Sequence, residues 1–231
     1  MTQPTYDAYH DEHPDASFTD WLRELSEPSW TGMVAHRFVE ELGAGTIDDE
    51  VFARYLVQDY AFVENLLGLI GHAVGDAPSI EQKRQINEFL SWLLEEDDDG
   101  YFERTFDKLG VPERDRTEPE KHPVTEGFED IFARGAREGG YEETLAVLFP
   151  TGWAYLEWAT SIADSDPGTF YLREWIEIHT HDILVAFVDW QHRELNRLGP
   201  ELSERRQRQV GRHFRRTMDL EKAFFDIAYE P

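Results

Sequence analysis

Apolar residues recur every three or four positions through most of the chain, which is the spacing of helices with one buried face. Trp21, Leu22 and Leu25 begin the pattern just after Ser17. Pro28 suits the first turn of a second helix, which Gly43 to Gly45 ends. Thr46 or Asp48 then caps a long helix whose stripe is Phe52, Tyr55, Leu56, Asp59, Val63, Leu66, Leu67 and Ile70. Ser79 caps another, carrying Ile86, Phe89, Leu90 and Leu93, and the acidic run Glu95 to Asp99 with Gly100 marks a break. Pro112, Pro119 and Pro123 bracket a loop before a helix near Thr125. Tyr141 to Asp164 predicts a further helix with Pro150 inside it. An interior proline removes a backbone hydrogen bond, so this helix should kink or break near Phe149. Pro167 and Gly168 separate it from a helix running from about Phe170 to Leu198, and Pro200 and Ser203 introduce a last one to about Tyr229. No strand-like alternation, internal repeat or dividing linker interrupts the pattern. The expectation is one all-α domain over 16–231, of seven or eight helices, behind a loose polar lead-in over 1–15.

Two acidic residues sit where apolar ones belong. Asp59 lies on its helix's apolar stripe, and Glu221 shares a face with Met218, Phe225 and Ala228. A carboxylate kept from water is costly unless it is bonded or paired, and burial raises its pKa into a range that suits acid–base work. Two readings stay open for each. Asp59 is either satisfied by a nearby Tyr, Trp or His or faces a pocket; Glu221 either pairs with an Arg such as Arg216 or faces the same pocket. Inward carboxylates among aromatic side chains fit a flat, protonatable ring. A metal is a weaker reading. His179 and Asp182 have one i, i+3 spacing, but Glu64, His72 and Glu157 supply no second Glu-x-x-His set of the kind a di-iron bundle uses.

The charge balance narrows the partners. The chain has 231 residues, with 48 Asp+Glu against 22 Lys+Arg and a formal net charge of -26. The basic residues are nearly all Arg, since Lys appears only at Lys83, Lys108, Lys121 and Lys222. Such a surface repels nucleic-acid backbones and anionic membranes. It resembles proteins that work in concentrated cytoplasmic salt, where screening relieves self-repulsion. There is no Cys, which removes disulfides, thiolate metal sites and a cysteine nucleophile together. No apolar run approaches a membrane span, and the polar N-terminus has no apolar segment to act as a signal peptide. A soluble, cytoplasmic protein is expected.

Several segments, taken in order, resemble the TenA/thiaminase II family. His36-Arg37-Phe38-Val39, Gly45-Thr46 and Tyr55-Leu56-Val57-Gln58-Asp59-Tyr60 are similar to its N-terminal signature, with Arg37 in place of Pro. Leu148-Phe149-Pro150-Thr151-Gly152-Trp153-Ala154-Tyr155 is similar to its Leu-Leu-Pro-Cys-x-Trp-x-Tyr run. Trp175-Ile176 and the His179 region match a Trp-Ile-x-x-Tyr segment, and Glu221 to Tyr229 resembles Glu-x-x-Phe-Trp-x-Met-Ala-Tyr. The resemblance implies a heme-oxygenase-like helical bundle without heme or other cofactor, assembled as a homo-oligomer, a dimer or tetramer. It implies hydrolysis at the methylene carbon of a 4-amino-2-methylpyrimidine in thiamine salvage. By position, Asp59 would bond the pyrimidine's amino group and ring nitrogen, Glu221 would protonate the leaving group, Tyr155 would support the site and Phe224 would pack beside the ring.

The departures bear on the chemistry. Thr151 stands where the family has its nucleophilic Cys, and a hydroxyl needs a base beside it. Phe62, Phe128 and His179 stand where Tyr is usual. Three functions follow: a hydrolase of aminopyrimidines with Asp59, Glu221 and Thr151 as its catalytic set; a pyrimidine-binding protein that has lost the chemistry; and, with least support, a di-metal oxidase on the same fold.

Overall fold

The computed structural model describes residues 4–98 and 100–230. Its helices, in chain order, are α1 (Tyr6–Glu12), α2 (Phe18–Leu25), α3 (Ser29–Val34), α4 (Arg37–Gly43), α5 (Asp49–Tyr60), α6 (Val63–Asp76), α7 (Ile80–Asp98), α8 (Tyr101–Leu109), α9 (Glu113–Thr117), α10 (Pro123–Glu138), α11 (Tyr141–Ser161), α12 (Phe170–His179), α13 (Asp182–Leu198) and α14 (Glu204–Ile227). No strand occurs among the described residues. No helix among them is long and apolar enough to cross a membrane.

The helix α11 is the axis of the bundle. From Tyr141 to Pro150 every residue except Glu142 is buried, and a helix apolar on all sides belongs in the middle of a core. α3, α6, α10, α12, α13 and α14 pack around it. The helix runs through Pro150 without ending, so the break expected near Phe149 does not occur.

The segments outnumber the seven or eight expected because three predicted units divide and because α1, α8 and α9 form where no helix was expected. The stripe from Phe52 to Ile70 is interrupted at Ala61 and Phe62, where Phe62 leaves helical geometry (φ -116, ψ 1). Phe62 instead buries its ring against Phe128, Phe132 and Phe224, and tertiary packing overrides the local helix preference. The other two divisions share a device. His36 opens α4 and His181 opens α13, each accepting the first-turn amide on Nδ1, from Phe38 at 3.1 Å and Ile183 at 3.2 Å. His122 opens α10 in the same way, taking the Val124 amide at 3.1 Å. Histidine is not a usual cap residue, so the starts of α4 and α13 carry no standard signal in the sequence, whereas Pro123 marks that of α10.

Other caps follow the usual chemistry. Asp48 caps α5 through the Glu50 amide at 2.8 Å, and Ser17 and Asp20 form a reciprocal box at the start of α2. The N-terminal segment departs from a loose lead-in. Thr5 caps α1, and Tyr6 is buried edge-on against Phe18 and Trp21.

Gly45 closes α4 at φ +66, and a Cβ there would lie 2.3 Å from the Pro167 carbonyl oxygen. Gly45→Ala should therefore lower stability by about 2 kcal/mol or more, from left-handed strain and the clash together. Urea unfolding followed by circular dichroism checks this, and an unchanged midpoint would contradict it.

Candidate active site

Beside α11 the bundle encloses a cavity of about 170 Å³. A cavity of about 150 Å³ suffices for a benzene ring, so this one admits a small substituted ring. Its wall is largely apolar and aromatic: Phe89 and Trp92 from α7, Tyr101 and Phe102 from α8, and Trp175 from α12. Neither Lys nor Arg lines it among the described residues. Five of its polar groups come from four helices. Asp59 stands on the last turn of α5, Thr151 and Tyr155 on α11, His179 at the end of α12 and Glu221 on α14.

Neither carboxyl has a hydrogen-bond or ion-pair partner among the described residues. Glu221 does not pair with Arg216, and Asp59 is not satisfied by a neighbouring Tyr, Trp or His, so the quieter alternative for each fails. The consequence is electrostatic. Burial raises Asp59 from its ordinary value of 3.8 to about 7. Burial, and secondarily the charge of Asp59, holds Glu221 well above the carboxylate range. Two carboxyls that penalise each other's ionisation do not both lose their protons at neutral pH.

Around them the hydroxyls are already committed. The Tyr155 hydroxyl lies 3.1 Å from that of Tyr55, and burial pushes both phenols up. Thr151 lines the cavity but donates its hydroxyl proton to the Leu148 carbonyl at 2.7 Å. No base is hydrogen-bonded to it among the described residues, which is not the arrangement of an activated hydroxyl nucleophile. His179 also lines the cavity, with Nδ1 2.7 Å from the Trp175 carbonyl. Burial lowers its pKa to about 4.

The candidate aromatic contacts are only partly brought together. Phe62 lines the cavity; Phe128 and Phe224 do not. They form a second layer, with Phe128 stacked on Phe62 at 5.0 Å and Phe224 edge-on to Phe62 at 5.4 Å. Phe224 instead borders a separate groove beside α5. Sequence reading missed Trp92, Tyr101 and Phe102. Phe89 and Leu93 fall on a helical stripe, but a stripe alone cannot tell a core wall from a cavity wall.

The residues weighed as metal ligands point apart. Glu64, His72 and Asp182 are exposed, and Glu157 pairs with Arg23 at 2.8 Å. No cluster of three or more His, Cys, Asp or Glu suited to a metal occurs among the described residues.

Comparison with known proteins adds to this geometry. Residues 24–231 match the TENA/THI-4/PQQC family. The chain is 24% identical over 217 residues to an aminopyrimidine aminohydrolase of Halalkalibacterium halodurans, covering 92% of this chain and 96% of that one. It is 22% identical over 213 residues to an enzyme of the same name in Bacillus subtilis, covering 92% and 89%. A TenA homologue from Pyrococcus furiosus superposes with a TM-score of 0.81 at 23% identity, covering 92% of this chain and all of that one.

The buried carboxylate sets a pH dependence. Because folding raises the pKa of Asp59, the unfolded chain releases that proton first. The group's contribution to stability therefore falls as pH rises from about 4 to about 7 and is least above that window. Asp59→Asn should stabilise the fold at pH 8 by on the order of 1–3 kcal/mol, and by less at pH 5. Paired urea titrations at the two pH values check this, and equal shifts at both would count against a buried, unpaired carboxyl.

Proposed function

The chain belongs to the TENA/THI-4/PQQC family, and on that footing we propose that it hydrolyses a 4-amino-2-methylpyrimidine at its exocyclic methylene carbon, in salvage of thiamine-derived pyrimidines. The observation that carries this reading is the pair of partnerless carboxyls, Asp59 and Glu221, on one ring-sized aromatic cavity. Two relatives named aminopyrimidine aminohydrolase support the substrate class.

Each carboxyl has a distinct task. A 4-aminopyrimidine presents a ring nitrogen and an adjacent amino group along one edge. The carboxylate of Asp59 takes both in a two-point, charge-assisted contact when the ring is protonated. Binding a cation beside it draws Asp59 into its ionised form, which in turn keeps the proton on Glu221. Glu221, an acid that holds its proton at neutral pH, then donates it to the departing nitrogen. Tyr155 and Phe62 shape the ring's slot, with Phe128 and Phe224 supporting Phe62 from behind. Thr151 contributes shape, since its proton is bound to the backbone. The same reading includes a cytoplasmic homo-oligomer, and the net charge of -26 favours work in high salt, where screening relieves self-repulsion.

The bound hydroxyl of Thr151 favours one second reading, a pyrimidine-binding protein without turnover. Calorimetric titration with 4-amino-5-aminomethyl-2-methylpyrimidine in high salt, with ammonia measured in the same mixture, separates the two. The expected result is binding with release of ammonia. Glu221→Gln should keep binding and lose about 100-fold or more in kcat. Asp59→Asn should weaken binding roughly tenfold to a hundredfold, the worth of one charge-assisted contact. Binding without ammonia from the unaltered protein would establish the second reading.

A further inference from the structure

A hydrolase without a thiol needs something to hold the attacking water. Thr151 has no base beside it, Tyr155 is tied to Tyr55, and the two carboxyls bind the ring and protonate the leaving group. The Tyr101 hydroxyl is given to the Tyr171 carbonyl, and the indoles of Trp92 and Trp175 offer only N–H donors. Among the described residues on the cavity wall, the acceptor that remains is on His179.

Its tautomer follows from its contacts. A carbonyl oxygen only accepts, so the 2.7 Å contact with Trp175 places the ring proton on Nδ1. The lone pair of the neutral ring is then on Nε2. That atom has no hydrogen-bond partner among the described residues, and it is not sealed in the packing. Tyr155, Trp158 and Trp175 hold the imidazole at ring separations of 4.8, 5.4 and 4.5 Å, so its direction is set before any ligand arrives. The cap-forming histidines, His36, His122 and His181, instead spend Nδ1 on an amide. Unlike them, His179 presents a free acceptor to the cavity. Burial keeps it neutral at physiological pH, the form that accepts.

We propose that His179 is a catalytic residue whose Nε2 binds the attacking water and takes its proton. The proposal rests on the hydrolase reading. In the step, the water oxygen bonds to the exocyclic methylene carbon while the carbon–nitrogen bond breaks and its electron pair leaves on nitrogen. The Glu221 proton goes to that nitrogen, and the water proton goes to Nε2. The imidazolium then returns its proton, through solvent, to the Glu221 carboxylate. The sum is amine and water giving alcohol and ammonia. A weakly basic imidazole favours the return, so the ring resets each cycle.

Two substitutions divide the functions of the ring. His179→Asn keeps a donor for the Trp175 carbonyl and drops the acceptor at the Nε2 position. His179→Gln can place an amide oxygen near that position. Unaltered protein and both variants are assayed for kcat and KM with 4-amino-5-aminomethyl-2-methylpyrimidine, and titrated calorimetrically with the same compound. Melting curves verify that each is folded. The expected result is a fall in kcat of about 100-fold or more in both folded variants, because neither amide takes up a proton at neutral pH, with Kd within about threefold. A kcat within about threefold of the unaltered protein in either folded variant would overturn the proposal while leaving the hydrolase intact. An inert unaltered protein would instead overturn the hydrolase reading, and this step with it.

Discussion

Holding two carboxyl groups away from water with no cation beside them is the constraint around which this fold is arranged. Ionised carboxylates stay in such a place only at a cost in stability, so the pair retains a proton at neutral pH. That requires an enclosure, and the enclosure explains the bundle. α11 carries apolar residues all round because it is surrounded, and the helices about it bring indole, phenol and phenyl rings to the cavity wall. Arginines are plentiful elsewhere in the chain, yet none lines the cavity. An arginine there would pin both carboxyls as anions and remove the acid.

The aromatic layers behind the cavity serve the same end. Phe62 leaves the helical path between α5 and α6 to face inward, and Phe128 and Phe224 close behind it. The turn also leaves Asp59 on the last helical turn before the bend. The break in the helix and the position of the carboxyl are thus one feature. A continuous helix through residues 61 and 62 would have carried the phenyl ring elsewhere and left the cavity without that wall.

Much of this was legible in the chain. Asp59 and Glu221 were conspicuous because a charged residue on an apolar stripe contradicts its neighbours, and the contradiction survives folding. Helix type and the run from Ser203 onward followed from spacing alone. The boundaries at His36 and His181 did not, because histidine carries no standard start signal and its ring nitrogen acts as a cap only when the chain turns there. The lead-in hid α1 for a related reason: Tyr6 becomes buried only through contacts with Phe18 and Trp21. Phe128 and Phe224 were placed at the ring by resemblance, and stand one layer back. Depth from a cavity depends on how three helices meet, which no single-helix pattern encodes. For Thr151, the sequence raises the question of a nucleophile, and only the folded chain shows its hydroxyl proton bound to the Leu148 carbonyl.

A helix start and the core tie the molecule to proton concentration in opposed directions. At His36 a bare ring nitrogen receives the Phe38 amide, and adding a proton there sets donor against donor. Burial holds the pKa of that imidazole down, so the cap resists acid. At the centre, adding a proton relieves Asp59. Acidification therefore eases the interior while it works against the point where α4 begins.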